Sequence, residues 1–157
     1  MKTIEGKRSL KSSTLSGTYA LDTSVLIEML AASSLGRYVM DGLLTYSAEV
    51  YTSEVNLAEA EYVLCRKLGS AGSKSKVDNL RKSNYVNVAD TEQVSRLAAQ
   101  IKCERSLSLA DCYSIAVAKA NASKALFAFR ERELTREIGR NPAGIPVVFL
   151  EDLVGNV

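Results

Sequence analysis

The sequence contains no histidine and no tryptophan, only two prolines, and three cysteines. The absence of histidine excludes Ser-His-Asp and Cys-His catalysis, histidine-ligated zinc and imidazole acid–base chemistry. Any catalysis must therefore use carboxylates, hydroxyls, amines or a metal ion held by oxygen atoms. Cys65, Cys103 and Cys112 form no CxxC pair, so we expect reduced thiols that are buried as small hydrophobic residues.

An excess of charge of one sign is also absent, because 20 lysines and arginines oppose 18 acids and leave a net charge of +2. Such a balance excludes bulk electrostatic coating of DNA or of a membrane surface. No window approaches the ~18 consecutive apolar residues that a membrane-spanning helix needs. The first 20 residues lack the apolar run of a signal peptide. We therefore expect a cytoplasmic protein that makes no membrane contact.

Short β-prone segments alternate with helical segments along most of the 157 residues. The pattern predicts strands near 18–21, 49–53, 85–89, 125–129 and 146–150. These strands are apolar without clean alternation, which is typical of a parallel sheet covered on both faces. We predict one α/β domain over residues 18–157, a three-layer α/β/α sandwich with a mostly parallel sheet of four or five strands. Residues 1–17 are polar, Ser-rich and basic, which predicts a flexible arm.

Acidic residues follow two of the predicted strands. Open parallel sheets bind ligands beyond the carboxyl ends of their strands, and Asp22 lies at such an end. Its alternative role is to cap the helix that begins near Val25. Glu131 and Glu133 follow the strand 125–129 in the same way, and for them an ordinary acidic first turn is the alternative.

Glu59 lies on a predicted helix over residues 54–68. Val55, Tyr62 and Val63 are spaced to share its face. A carboxylate on an apolar face is costly unless it is paired, coordinated or protonated. An ion pair with Arg66, or a position at the solvated rim, is the alternative.

Asp111 repeats this pattern, because Ile115 and Ala118 continue its face of the next helix. Stabilisation by the helix dipole is the alternative for an acid in a first turn. Taken together, these acids would crowd one cleft, where like charges repel and a divalent cation is the usual remedy. Oxygen ligands favour Mg²⁺ or Mn²⁺ over zinc, and such a carboxylate site suits phosphodiester hydrolysis.

Three motifs occur in a fixed order: Leu21-Asp-Thr-Ser-Val-Leu26, Asn56-Leu-Ala-Glu-Ala60 and Leu109-Ala-Asp111. Followed by a strand and then acids, this set resembles the PIN domain family, and within it the single-domain ribonucleases typified by the VapC toxins. The resemblance extends over about residues 19–150. It implies a three-layer α/β/α fold, a homodimer and Mg²⁺- or Mn²⁺-dependent endonucleolytic cleavage of RNA. It also implies a small VapB-like antitoxin as partner.

The resemblance also implies roles for individual residues. The catalytic and metal-binding acids would be Asp22, Glu59, Asp111 and Glu131. Ser24 matches the hydroxyl residue that steadies the first carboxylate by hydrogen bonding.

The fourth acid departs from the family pattern, which is Thr or Ser, one intervening residue, then Asp. Here the corresponding positions are Phe129, Arg130 and Glu131. The hydroxyl is lost and the acid reaches further, which would weaken metal binding. Glu133 competes with Glu131 for the role. A weak or inactive RNA- or protein-binding scaffold, and an RNA-processing nuclease outside toxin–antitoxin systems, are therefore the alternative functions.

Basic residues near the fourth acid could hold RNA by its phosphates. We predict an RNA-binding cluster that consists of Arg130, Arg132, Arg136 and Arg140. A second basic cluster at 74–82 and the N-terminal arm are the alternatives, and a solvated face explains many charge runs.

Overall fold

The structure is a computed structural model, and it describes residues 14–155. Residues 1–13 of the predicted arm lie outside this range. Within the range, Leu15 is fully buried, and its N–H donates to the carbonyl of Tyr38 at 3.1 Å. The first strand begins at Gly17, one residue earlier than predicted.

The helices and strands alternate as the sequence predicts. In chain order the elements are β1 (Gly17–Leu21), α1 (Thr23–Leu30), α2 (Ser34–Leu44), β2 (Ala48–Thr52), α3 (Glu54–Ser83), β3 (Val86–Val88), α4 (Thr91–Glu104), α5 (Leu109–Ala120), β4 (Lys124–Phe127), α6 (Arg132–Arg140), β5 (Val147–Phe149) and α7 (Leu150–Val154). Helix α3 is interrupted at Gly69, whose φ of 74° and ψ of 167° are not helical. Glycine adopts this positive φ at little cost, which explains why the helix predicted over residues 54–68 stops before Gly69.

The five strands form one parallel sheet in the order β3-β2-β1-β4-β5. Strand β1 is central, and it pairs with β2 through Ala20–Tyr51 and with β4 through Leu21–Leu126. The predicted mostly parallel sheet is confirmed. The order reverses at β1, so its carboxyl end and that of β4 are where a ligand cleft is expected.

Two hydrophobic clusters cover the two faces of the sheet. Along β1, Tyr19 and Leu21 belong to one cluster and Ala20 to the other, as the two-residue period of a strand requires. Helices α1, α2, α3 and α7 contribute to the first cluster, and α4, α5 and α6 to the second. The three-layer α/β/α architecture is therefore confirmed.

Most helices begin at a side-chain cap. The carboxylate or hydroxyl oxygen of the preceding residue accepts a backbone N–H at Asp22, Ser33, Ser53, Asp90 and Ser108. Such caps satisfy amides that would otherwise lack partners in the first turn. They fix where each helix starts after its strand or loop.

Helices α1 and α2 pack unusually closely. A Cβ atom on Gly36 would lie 2.0 Å from the carbonyl oxygen of Glu28, so only glycine fits at this crossing.

Of the three cysteines, Cys112 is buried, Cys65 is half-buried and Cys103 is exposed. The expectation of buried thiols was therefore wrong for Cys103. None of the helices within residues 14–155 combines the length and hydrophobicity needed to cross a membrane.

Candidate active site

Asp22 lies at the carboxyl end of the central strand and is almost completely buried. Its Oδ2 accepts from the backbone N–H of Ser24 at 2.9 Å and from the Ser24 hydroxyl at 2.7 Å. Its Oδ1 accepts from the hydroxyl of Ser114 at 2.8 Å. The two roles that the sequence left open for Asp22 therefore coexist, because it caps α1 and also places a carboxylate at the end of the sheet.

Ser24 ties this carboxylate to the neighbouring strand. Its Oγ donates to Asp22 and accepts the backbone N–H of Ala128 at 3.0 Å. Ala128 directly follows β4, so the hydroxyl joins the ends of β1 and β4. The position agrees with the supporting role that the resemblance implies for Ser24.

Glu59 is half-buried and reaches the same region from α3. Its Oε2 accepts a short hydrogen bond from the hydroxyl of Thr23 at 2.6 Å. The expected apolar face is wrong in part, because Tyr62 is 51% exposed and the buried stripe of α3 lies on other residues. Arg66 does not pair with Glu59; its guanidinium lies over the Tyr62 ring, 5.2 Å from the centroid.

Asp111 and Glu131 approach from α5 and from the start of α6. Burial, followed by the charge of Asp22, raises the pKa of Asp111 from 3.8 to about 7, and Glu131 and Glu59 add to the shift. The pKa of Glu131 is also raised, first by loss of hydration and then by Asp22, Glu59 and Glu133. Burial is the larger cause of both shifts, and the like charges that share the cleft add to it.

One cleft of about 300 Å³ collects all of the predicted acids. Its lining residues are Asp22, Thr23, Ser24, Ile27, Glu59, Val63, Leu107, Ser108, Asp111, Glu131 and Glu133. Within residues 14–155 no lysine or arginine forms an ion pair with a carboxylate of this cleft. The cleft therefore carries a concentrated negative charge that the described chain does not neutralise.

Direct coordination of one ion by several acids is not preformed. Across residues 14–155, no three acidic or cysteine side chains converge closely enough to hold a metal ion together. Mg²⁺, however, usually keeps several waters and is bound through only one or two carboxylates. The donor set of the cleft, carboxylates and hydroxyls without imidazole or thiolate, fits such a hydrated hard cation.

Sequence analysis missed the role of three polar residues, one that lines the cleft and two that lie beneath it. Thr23, Asn56 and Ser114 are buried and connect Asp22 with Glu59 through hydrogen bonds. Their signal in the sequence is weak, because serine, threonine and asparagine near helix starts normally indicate caps. A polar residue within the apolar helix α5, such as Ser114, is the one clue that was available.

The four predicted arginines are all exposed, but they are not equivalent. Arg130 pairs with Asp152 and lies over the ring of Phe149, 4.6 Å from its centroid. Arg130, Arg132 and Arg136 all line an open depression of about 600 Å³, and Arg140 lies further along α6. No carboxylate in the described part of the chain forms an ion pair with Arg132, Arg136 or Arg140.

The alternative basic cluster is partly neutralised, since two of its four basic residues form ion pairs. Arg81 makes two hydrogen bonds to the carboxylate of Glu54, at 2.7 and 2.5 Å, and Lys74 pairs with Asp78. A guanidinium group that already makes two hydrogen bonds to a carboxylate has little capacity left to bind a phosphate. The 74–82 cluster is thus the weaker candidate for binding nucleic acid.

Two features together define the class of protein: a parallel α/β/α domain, and a carboxylate cleft at the point where the strand order of the sheet reverses. A family model described as the PIN domain matches residues 19–136, and the chain belongs to this family. The three sequence motifs that suggested the family contribute Asp22, Glu59 and Asp111 to the cleft. No curated protein shows a significant sequence match to the chain.

Solved structures with the same fold include toxins and toxin–antitoxin complexes. A chain of the DNA-bound VapBC complex of Salmonella typhimurium is 20% identical, with a TM-score of 0.61 and coverage of 88% of this chain and 100% of that one. VapC20 of Mycobacterium tuberculosis, described as a toxin that cleaves the sarcin–ricin loop, is 23% identical, with a TM-score of 0.57 and coverage of 74% and 93%. At such identities the likeness concerns the fold.

Proposed function

We propose that this protein is a metal-dependent endoribonuclease of the VapC type, the toxin of a toxin–antitoxin pair. One observation carries the proposal: Asp22, Glu59, Asp111 and Glu131 line one cleft, and no cationic side chain of the described residues pairs with them. A cluster of this kind lowers its free energy by binding a cation. The PIN family match and the fold shared with a sarcin–ricin-loop-cleaving toxin support the proposal.

Mg²⁺ or Mn²⁺ is the cofactor that these residues would hold. Asp22 is the best-positioned ligand, because hydrogen bonds from Ser24 and Ser114 fix both of its oxygens. Asp111, Glu59 and Glu131 would complete the site directly or through water. When bound, a divalent ion supplies an acidified water and a positive charge for the phosphodiester. The raised pKa of Asp111 supports this proposal, since a bound cation would favour its ionised form.

RNA would be held beside the cleft by the arginines of α6. Arg132 and Arg136 are free of ion pairs within the described residues and face open solvent, so their guanidinium groups can bind phosphate oxygens in pairs. Arg130 is the weakest of the four predicted contacts, because its charge is already opposed by Asp152. RNA rather than DNA as substrate rests on the VapC20 likeness.

A small antitoxin and a second copy of the chain are the proposed protein partners. Structures with this fold include a toxin–antitoxin complex of Klebsiella pneumoniae and VapBC2 of Rickettsia felis bound to a DNA fragment. A basic side chain from the antitoxin would neutralise the carboxylate cleft in the same way as a metal ion. We propose that the complex resides in the cytoplasm, where structured RNA is available.

The test is cleavage of labelled structured RNAs, tRNA and a sarcin–ricin-loop RNA among them, by wild-type protein and Asp22→Asn. Reactions contain EDTA, Mg²⁺ or Mn²⁺. Cleavage that requires the metal and falls by at least 100-fold in Asp22→Asn is expected. Asp41→Asn, which changes an exposed carboxylate on α2, is the matched control and should cleave like wild type. Metal-independent cleavage, or equal cleavage by Asp22→Asn, would contradict the proposal.

A second candidate function is a non-cleaving RNA-binding scaffold. The observation that favours it is the altered fourth-acid region, where Phe129 is 43% exposed and Glu131 makes no capping hydrogen bond with its side chain. Binding of the same RNAs in Mn²⁺ without any cleavage would support the scaffold. Mn²⁺-dependent cleavage by the wild-type protein would exclude it.

A further inference from the structure

Asn56 is a fully buried asparagine on α3, one turn before Glu59. Its backbone N–H donates to Ser53 Oγ at 3.1 Å, and Ser53 Oγ donates its own proton to Asn56 Oδ1. The carboxamide oxygen of Asn56 therefore faces Ser53. Its NH₂ group must point the opposite way, towards the cleft.

The NH₂ group of Asn56 donates to two hydroxyl oxygens. One is Thr23 Oγ1 at 3.1 Å, and the other is Ser114 Oγ at 3.0 Å, with the carbonyl of Ala110 at 3.2 Å beside it. A hydroxyl that accepts a hydrogen bond still has one proton to donate. The amide thus determines where the protons of Thr23 and Ser114 can point.

Those two protons point to the two carboxylates. Thr23 donates to Glu59 Oε2 at 2.6 Å, and Ser114 donates to Asp22 Oδ1 at 2.8 Å. The competing acceptors are uncharged and more distant, at 3.4 Å for the Asn56 carbonyl and 3.1 Å for the Ala110 carbonyl. Hydrogen bonds to a charged acceptor are the stronger ones, so the direction of the network is set.

We propose that Asn56 is a positioning residue: it orients the hydroxyls of Thr23 and Ser114 so that Asp22 and Glu59 are both held as hydrogen-bond acceptors, ready for a divalent cation. The inference deepens the proposed function and rests on it. All protons in the chain from Ser53 run towards the carboxylates, so Asp22 and Glu59 both act only as acceptors in it. Asn56 itself reaches neither the solvent nor the substrate.

Mn²⁺ affinity, measured by the loss of the free-ion signal in electron paramagnetic resonance, tests this role without any need for activity. Asn56→Leu removes both donors at similar volume and should weaken Mn²⁺ binding about 10- to 100-fold, as loss of a residue supporting a metal ligand commonly does. Thr52→Val is the control, because Thr52 is a buried hydroxyl that donates only to the Leu21 carbonyl. It should bind Mn²⁺ within twofold of wild type.

A combination of variants separates positioning from simple destabilisation. In a Thr23→Val/Ser114→Ala background, adding Asn56→Leu should cost no further Mn²⁺ affinity, because the hydroxyls through which Asn56 acts are absent. A purely structural role would instead give additive losses.

The outcomes are distinguishable from failure of the proposed function. If wild-type protein binds no Mn²⁺, the proposed metal-dependent nuclease is wrong. If wild type binds Mn²⁺ and folded Asn56→Leu binds it within twofold, only the role of Asn56 is overturned. Should Asn56→Leu not fold, Thr23→Val and Ser114→Ala each remove one of the two hydroxyls, and wild-type affinity in both would equally overturn it.

Discussion

Replacing Asp111 by asparagine is expected to stabilise the metal-free protein at pH 8. Burial and neighbouring carboxylates raise the pKa of Asp111 to about 7, whereas in the unfolded chain it ionises above pH ~4. The folded state therefore binds this proton more tightly than the unfolded state. Stability decreases as the pH rises from about 4 to 7, and the full penalty applies above pH 7.

The size of this penalty follows from the shift. About three pKa units at ~1.4 kcal/mol each give an upper bound of about 4 kcal/mol. Asp111 is half-buried beside an open cleft, so screening by water reduces this to about 2 kcal/mol. At about 2–4 °C per kcal/mol for a chain of this size, Asp111→Asn should raise the Tm by about 4–8 °C.

Thermal unfolding followed by circular dichroism in EDTA measures the effect at pH 8, pH 5 and below pH 4. The gain should be complete at pH 8, smaller at pH 5, and absent well below pH 4. Asp41→Asn, on the exposed face of α2, should leave the Tm unchanged at each pH. A gain that does not depend on pH, or none at pH 8, would refute the argument that crowded charge destabilises the empty cleft.

Three further predictions concern packing, RNA binding and the fourth acid. Gly36→Ala should destabilise the fold by about 3 kcal/mol or more through its contact with the Glu28 carbonyl; urea unfolding checks this against Gly139→Ala, whose Cβ would meet no atom within 4 Å. Arg132→Gln should lower RNA affinity and reduce the slope of log affinity against log salt concentration by about 1, and filter binding at several salt concentrations measures both. Arg130→Gln should cost less affinity, because Asp152 already pairs with Arg130. An equal loss in the two variants would contradict this reasoning. Restoring the family pattern with Phe129→Thr/Glu131→Asp should raise Mn²⁺ affinity about tenfold, because the hydroxyl and the shorter acid would support the metal site. Unchanged affinity in a Mn²⁺ titration would contradict this explanation.

The sequence predicts the sheet, and the grouping of the acids at one edge of it, from local patterns. Strands are predicted as short apolar runs between capped helices. An acid that follows a strand closely, such as Asp22 after β1 or Glu131 four residues after β4, lies near the carboxyl edge of the sheet. The face of Glu59 was harder to assign. Tyr62 has the right spacing but is exposed, because the core stripe of α3 follows Leu57 and Leu64 instead.

Contacts between distant segments could not be predicted in the same way. Asn56 bonds to Thr23 and Ser114 across 33 and 58 residues, and neither spacing has a local signature. Arg130 was expected to be available for RNA, but Asp152 pairs with it from 22 residues away in sequence. Polar networks of this type are specified by tertiary packing, which a periodic pattern does not encode.

The bond between Ser24 and the backbone of Ala128 joins residues 104 positions apart, across the pairing of β1 with β4. Chains grow from the amino terminus, so a nascent polypeptide carries Asp22, Glu59 and Asp111 before β4 leaves the ribosome. Until β4 pairs with β1, the Asp22 carboxylate lacks the neighbouring strand and Glu131 is absent. A newly made molecule therefore acquires its complete cleft only after β4 has been synthesised, and a fragment released before residue 124 would carry most of the acids without the site.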